Sequence, residues 1–408
     1  MKRLHSVLLA GIACIAFASC DGGIWDEGFD YKGEADGLVD GEASYDREGG
    51  AGGEVNGNGN GNTAAGVLTA GEWNDLRNWS FWGGLVTDTL KFASAPSVWG
   101  FYTDNRIAVK VICSDGQPSV GSRVNLKYLG MDVWDAVTDN KGEASLWLGL
   151  YNPPETIDTS SLSLSVAGVS LDKVGITGLK DSVVFVNEIN LPVTGTLSKK
   201  ADIAFIVDAT GSMSDEISFL KQDLLDILGK VKSSVPDVAI RSGAVFYRDE
   251  DGDEYVTRVS GFADNPKVTS EFISKQKAAG GGDFPEAVHR ALDAAIQKLA
   301  WSETADNRVA FLILDAPAHL KQNVITSLHS SIQSMAKTGI RIIPVVASGA
   351  DKITEFMCRF FAVTTGGTYV FLTDDSGVGG SHIEASVGEY QVEQLNDLVV
   401  RLIKENIE

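Results

Sequence analysis

The residues best placed to do chemistry are oxygen donors. Asp208-Ala209-Thr210-Gly211-Ser212 gathers a carboxylate and two hydroxyls in one short stretch, and Asp315 directly follows the apolar run Val309-Ala310-Phe311-Leu312-Ile313-Leu314. Between them lies Gly280-Gly281-Gly282-Asp283-Phe284-Pro285-Glu286-Ala287, at an expected helix start. None of the three stretches contains a His or a Cys. An all-oxygen donor set suits a hard divalent cation such as Mg²⁺, which takes octahedral oxygen ligands and keeps several waters.

Other polar groups have plainer readings. Asp249-Glu250-Asp251-Gly252-Asp253-Glu254 crowds five carboxylates into six positions. Its glycine is fourth rather than sixth, so it departs from the helix-loop-helix calcium loop and reads as a solvated hairpin tip. His289 and His319 have no third group placed to complete a triad, and they read as surface imidazoles. The aromatic stretch Trp73 to Trp82 could offer a stacking platform for sugars, but its tryptophans read better as the anchors of a small core.

The elements that must position the oxygen donors are strands and helices in alternation. Ile203-Ala204-Phe205-Ile206-Val207 is a continuous apolar run of the kind buried on both faces of a parallel sheet. Periodicity predicts strands near 203–207, 237–246, 308–314, 340–346 and 368–372. Helices are predicted near 214–231, 268–279, 284–300, 322–337, 351–361 and 391–405. This is a doubly wound α/β domain, whose ligand site belongs at the carboxyl ends of the strands where their order reverses. Upstream, residues 100–197 alternate with period two, in runs near 107–112, 123–128, 133–137, 144–148, 161–166 and 183–186. Turn residues bound these runs, which predicts an all-β sandwich.

The Asp-x-Thr-Gly-Ser motif, the Gly-rich loop and the Asp ending a middle strand resemble the metal-ion-dependent adhesion site of a von Willebrand factor type A domain. The likeness covers about residues 199–408. Tyr247-Arg248-Asp249, the stretch 372–380 and Val392 to Asp397 resemble that family's bacterial branch. The resemblance implies metal ligands at Asp208, Thr210, Ser212, Asp283 and Asp315, some acting through water. The second-loop position is commonly Thr in animal adhesion receptors. An Asp there lowers the net charge of the site and admits Ca²⁺ or Mn²⁺ beside Mg²⁺. The family's metal binds an Asp or Glu carboxylate of a partner protein, so adhesion or complex assembly is implied, and no enzymatic activity. The alternatives are a structural type A scaffold without metal-dependent binding, or a Mg²⁺-dependent aspartyl-phosphate phosphohydrolase with Asp374 and Asp375 as further ligands. Asp115-Gly116-Gln117-Pro118 with Thr138 to Ala144 resembles the carboxypeptidase-regulatory-like module, which implies a spacer.

The ends and the balance of the chain supply the setting. Met1-Lys2-Arg3, an apolar stretch from Ser6 to Phe17 and Ala18-Ser19 before Cys20 read as an export signal. Phe17-Ala18-Ser19-Cys20 resembles the lipobox of bacterial lipoproteins, with Phe where Leu is preferred, and implies lipidation of Cys20. Residues 21–62 carry eleven acidic and two basic residues and thirteen glycines, which predicts a self-repelling tether. The expected organisation is a signal peptide at 1–19, a lipid-anchored tether at 20–65, and a Trp-rich segment at 66–99 packing on the next domain. A β-sandwich at 100–197 and a type A domain at 198–408 complete it. The chain has 408 residues and a net charge of −21, which opposes nucleic-acid binding. The expected location is the bacterial cell envelope, at the outer membrane or cell surface, with attachment to the membrane through Cys20. Cys113 and Cys358 fall in different predicted domains and read as buried thiols.

Overall fold

The computed structural model describes residues 68–250, 253–374 and 383–408. The signal peptide, Cys20, the tether and Asp375 lie outside the described residues. No helix among the described residues is long and apolar enough to cross a membrane.

The described chain opens on β1 (Thr69–Trp73), followed by helices α1 (Trp79–Thr87) and α2 (Ala95–Trp99). Next come β2 (Arg106–Cys113), β3 (Arg123–Tyr128), β4 (Met131–Val137), β5 (Glu143–Trp147), β6 (Leu162–Val166), β7 (Val169–Leu171) and β8 (Val186–Leu191). They form a three-stranded sheet, β5-β2-β8, and a four-stranded sheet, β4-β3-β6-β7. Period-two burial puts Val109 and Val111 of the first and Val124, Leu126, Leu164 and Val166 of the second into one apolar cluster. The run expected at 183–186 becomes a strand only from Val186, and Val183 and Phe185 are exposed.

The remaining elements alternate. They are β9 (Lys200–Asp208), α3 (Ser214–Ser234), β10 (Ala239–Tyr247), β11 (Thr257–Ala263), α4 (Pro266–Ser274), α5 (Val288–Lys298), β12 (Asn307–Leu314), α6 (Gln322–Thr338), β13 (Ile340–Val346), α7 (Lys352–Thr365), β14 (Tyr369–Thr373), β15 (Glu393–Gln394) and α8 (Leu395–Ile407). The large sheet runs β11-β10-β9-β12-β13-β14-β1-β15. Its five central strands, β10 to β14 in that order, are parallel, and the flanking pairings are antiparallel. From β9 the chain first adds β10 on one side and later β12 on the other. The strand order therefore reverses between β9 and β12.

The Trp-rich segment does more than pack on its neighbour in sequence. β1 pairs along its whole length with β14, from Thr69 opposite Thr373 to Trp73 opposite Tyr369. Period-two reasoning passed over this strand because Thr-Ala-Gly-Glu-Trp shows no run of alternating apolar residues. The tryptophans are core anchors. Trp82 stacks on Phe356 of α7 with centroids 5.9 Å apart, and its indole N–H donates to Thr103 at 2.8 Å. Phe101 stacks on Phe360 at 3.9 Å. Arg359 of α7 donates from Nε to Asp75 Oδ2 at 2.9 Å, within a pair whose side chains are both fully buried.

Candidate functional site

The three oxygen-rich stretches meet at the reversal between β9 and β12. Asp208 is the last residue of β9, and Asp315 follows β12. Backbone bonds hold the intervening loop. Ala209 N donates to Tyr247 O at 2.8 Å, Ala279 N to Ala209 O at 3.0 Å, and Gly211 N to Gly280 O at 3.1 Å. The Gly-rich loop is thereby laid against the first loop at two points. Glycine is required at two places there. A Cβ on Gly280 (φ +82°) would come within 1.7 Å of Asp253 Oδ1, and one on Gly281 (φ +78°) within 2.9 Å of Glu286 Oε1.

Asp208 is completely buried. Its Oδ1 accepts from Thr210 N at 2.8 Å and from Thr210 Oγ1 at 2.7 Å, while its Oδ2 has no hydrogen-bond partner. Burial pushes the carboxyl up to about 7; Asp315 raises it further, against the bonds from Thr210 and the weaker influence of the Tyr247 hydroxyl, which itself makes no hydrogen bond. Ser212 is exposed and its hydroxyl donates to Asp315, whose own carboxyl is raised by burial. Glu216, in the first turn of α3, is pushed up to about 7 by burial, with Asp315 and Asp215 adding to it. Asp208, Thr210, Ser212 and Asp315 thus form one constellation.

The second loop carries two carboxylates, the expected Asp283, which is exposed, and Glu286, which is buried. Helix α5 begins at Val288 and not near 284. Pro285 disfavours a helical conformation at Phe284, and Glu286 instead forms an isolated parallel bridge with Ala318, its N–H donating to Pro317 O at 2.8 Å. That bridge accompanies an inward-facing Glu286, which is 3% exposed, with Oε2 unpartnered. Burial drives its carboxyl up to about 9, followed by the charges of Asp208, Asp249, Asp253 and Asp315. Asp283 is exposed, and its carboxylate gathers with Asp249 and His319.

His289 and His319 are not surface imidazoles. Both are buried, and His319 Nε2 lies 2.8 Å from Asp249 Oδ1. The acidic loop before β11 is only partly a solvated tip, because Asp249 is buried and Asp253 Oδ2 accepts from Asp249 N at 3.1 Å and from Gly281 N at 3.2 Å. Sequence reasoning passed over Glu286; the signal that could have found it was its place one residue after the loop's proline.

A divalent cation fits the first constellation. Asp208 Oδ2 and Glu286 Oε2 are buried acceptors without donors, and mutual repulsion among the carboxylates is what a dication would offset. Asp208, Asp315, Ser212 and Thr210 could hold it, with Glu286 beside them. The aspartyl-phosphate alternative draws on Asp374, which follows β14. The order β9-β12-β13-β14 places that strand three positions from β9, about 14 Å at the usual strand spacing.

A family model for the von Willebrand factor A domain matches residues 202–352. Among curated proteins, the chain is 32% identical over 122 residues to the alpha-protein kinase vwkA of Dictyostelium discoideum, covering 30% of this chain and 19% of that one. It is 30% identical over 156 residues to a putative ariadne-like RING finger protein of Acanthamoeba polyphaga mimivirus, covering 38% of this chain and 14% of that one. The chain therefore matches less than a fifth of the length of either relative. With the strand order, the Asp208 loop at the reversal point and the family match all on the same stretch, residues 202–352 are a von Willebrand factor A domain.

Proposed function

We propose that this chain is an envelope lipoprotein that captures a protein partner through a divalent cation, Mg²⁺ or alternatively Ca²⁺ or Mn²⁺, at the Asp208 constellation. The observation that carries this reading is the fully buried Asp208 Oδ2 without a donor, next to Asp315 at the strand reversal. Asp208, Thr210, Ser212 and Asp315 hold the cation, and Glu286 is the second-loop carboxylate beside them. When bound, the cation offers a coordination position to an Asp or Glu carboxylate of the partner. The chain's own residues orient and charge the site. Thr210 fixes Asp208 through Oδ1 and leaves Oδ2 free, and exposed Ser212 marks where a partner approaches.

The role is binding and not turnover, with no nucleic acid as ligand. The small sheets of 100–197 act as a sandwich-like spacer, the acidic stretch 20–65 as a tether, and a lipid on Cys20 as the membrane anchor. This rests on the basic start, the apolar stretch and the Ala-Ser-Cys sequence. The test is capture of envelope proteins by the immobilised chain. A partner should be retained in Mg²⁺ and released by chelation, and should not be retained by Asp208→Ala; retention unaffected by both changes would refute the reading.

A further inference from the structure

Outside the Asp208 constellation, one group of side chains combines carboxylates with an imidazole. Ligand atoms of Asp249, Asp283 and His319 all lie within 4.8 Å of one another. Three separate loops bring them together. Asp249 follows β10, Asp283 stands on the Gly-rich loop, and His319 follows Asp315 after β12. We infer that Asp249, Asp283 and His319 form a second metal site, distinct from the first, for a transition-metal dication such as Zn²⁺.

The donor set sets the class of metal. One imidazole nitrogen with two carboxylates is a poor set for Mg²⁺ or Ca²⁺, which take oxygen alone, and a good one for Zn²⁺ or Mn²⁺. Three protein ligands leave a position for water or for a partner's group. Ligands of one tetrahedral zinc ion at about 2.0–2.2 Å from the metal stand about 3.3–3.6 Å apart, so a cluster whose ligand atoms lie within 4.8 Å of one another must close by up to about 1.5 Å at its widest pair. Asp283 is exposed, so its side chain has room to turn toward the other two.

A simple hydrogen-bonded His–Asp pair would account for His319 and Asp249 at 2.8 Å, but not for the rest. A structural pair gains nothing from a further carboxylate set beside its own. The loop carrying Asp283 is nevertheless held there, through Gly281 N to Asp253 Oδ2 at 3.2 Å and Gly280 O to Gly211 N at 3.1 Å. Two buried atoms close to these loops in sequence also lack partners: Glu286 Oε2, on a side chain that feels the charges of both Asp208 and Asp249, and His289 Nδ1. A cation at the cluster offsets the surplus negative charge that these loops collect. The site rests on the proposed function in one respect, that Glu286 and not Asp283 stands beside the Asp208 constellation, so that the two sites share no ligand.

The experiment is competition between the whole chain and a chromophoric chelator for Zn²⁺, in excess Mg²⁺ to saturate the oxygen-only site. Wild type should hold one equivalent of Zn²⁺. Asp283→Asn and His319→Gln should each weaken Zn²⁺ by at least about tenfold, the loss that even an outer-sphere partner of a ligand produces. Asp208→Ala should remove Mg²⁺ binding and weaken Zn²⁺ far less than Asp283→Asn does, which separates the two sites. Asp283 is exposed, so its variant keeps the test valid if the buried His319 variant folds poorly. Absence of bound Zn²⁺ in wild type, Zn²⁺ binding untouched by Asp283→Asn, or Zn²⁺ lost with Asp208→Ala and not with Asp283→Asn would overturn the inference.

Discussion

At the residue scale, the Asp208 site is a buried charge awaiting a counter-charge. Asp208→Asn keeps an oxygen for the two bonds from Thr210 and removes the charge. In metal-free buffer at pH 8 the variant should therefore be at least as stable as wild type, because it removes a buried charge that lies beside Asp315. Added Mg²⁺ should raise the Tm of wild type only. Thermal melts with and without Mg²⁺ check both signs. The pH dependence follows from the raised carboxyls of Asp208 and Glu216, each about 7 against 3.8 and 4.5 ordinarily, and of Glu286, about 9 against 4.5. Between the ordinary and the raised values the metal-free fold binds more protons than the unfolded chain. Its stability accordingly falls as pH rises through that window. Protons and Mg²⁺ compete, so Mg²⁺ affinity should drop as pH falls below about 7; an affinity flat from pH 8 to pH 5.5 in calorimetric titration would contradict this.

What the sequence tells about the site is uneven at this scale. Asp208 and Asp315 were legible because each ends a continuous apolar run, and strand ends in a parallel sheet are where ligands bind. The second loop was not. Asp283 and Glu286 both lie in an aperiodic stretch, and which of them faces inward depends on the bridge between Glu286 and Ala318, a contact between distant parts of the chain. The burial of His319 was hidden for the same reason, since it follows β12 in an aperiodic stretch, whereas His289 stands on the buried face of α5 beside Glu250 of a distant loop.

At the element scale, α7 is the piece that joins the N-terminal segment to the large sheet. Its residues from Thr354 to Thr364 are buried, as a helix apolar on most sides suggests. Within that environment Arg359 is fully enclosed, paired with Asp75 and with Glu355 at 3.2 Å. Removing Asp75 takes two hydrogen bonds and the bidentate partner from Arg359 and leaves Glu355 alone against the buried charge. Asp75→Ala should cost roughly 3–5 kcal/mol, measured by urea unfolding. A loss below about 1 kcal/mol, the size of an exposed ion pair, would show that Asp75 does not anchor the segment. The central strands and the helices from α3 onward were readable from periodicity, whereas α1, α2, β11, β15 and β1 were not. The three strands are short or edge strands, stabilised by pairing with neighbours and not by their own apolar pattern.

At the scale of the whole molecule, the type A domain is not self-contained in sequence. Its sheet takes β1 from far upstream, and the faces of α7 turned from that sheet are covered by Trp82, Phe92 and Phe101. A chain cut to residues 198–408 loses all of these. It should aggregate or unfold at markedly lower urea than a chain starting at residue 66, and equal midpoints for the two would contradict the shared core. Binding experiments therefore belong on the whole chain. The most direct test of the central claim is calorimetric titration of Mg²⁺ into the whole chain, wild type beside Asp208→Ala. The account predicts a saturable Mg²⁺ site in wild type that vanishes in the variant; no binding in wild type, or equal binding in both, would contradict it.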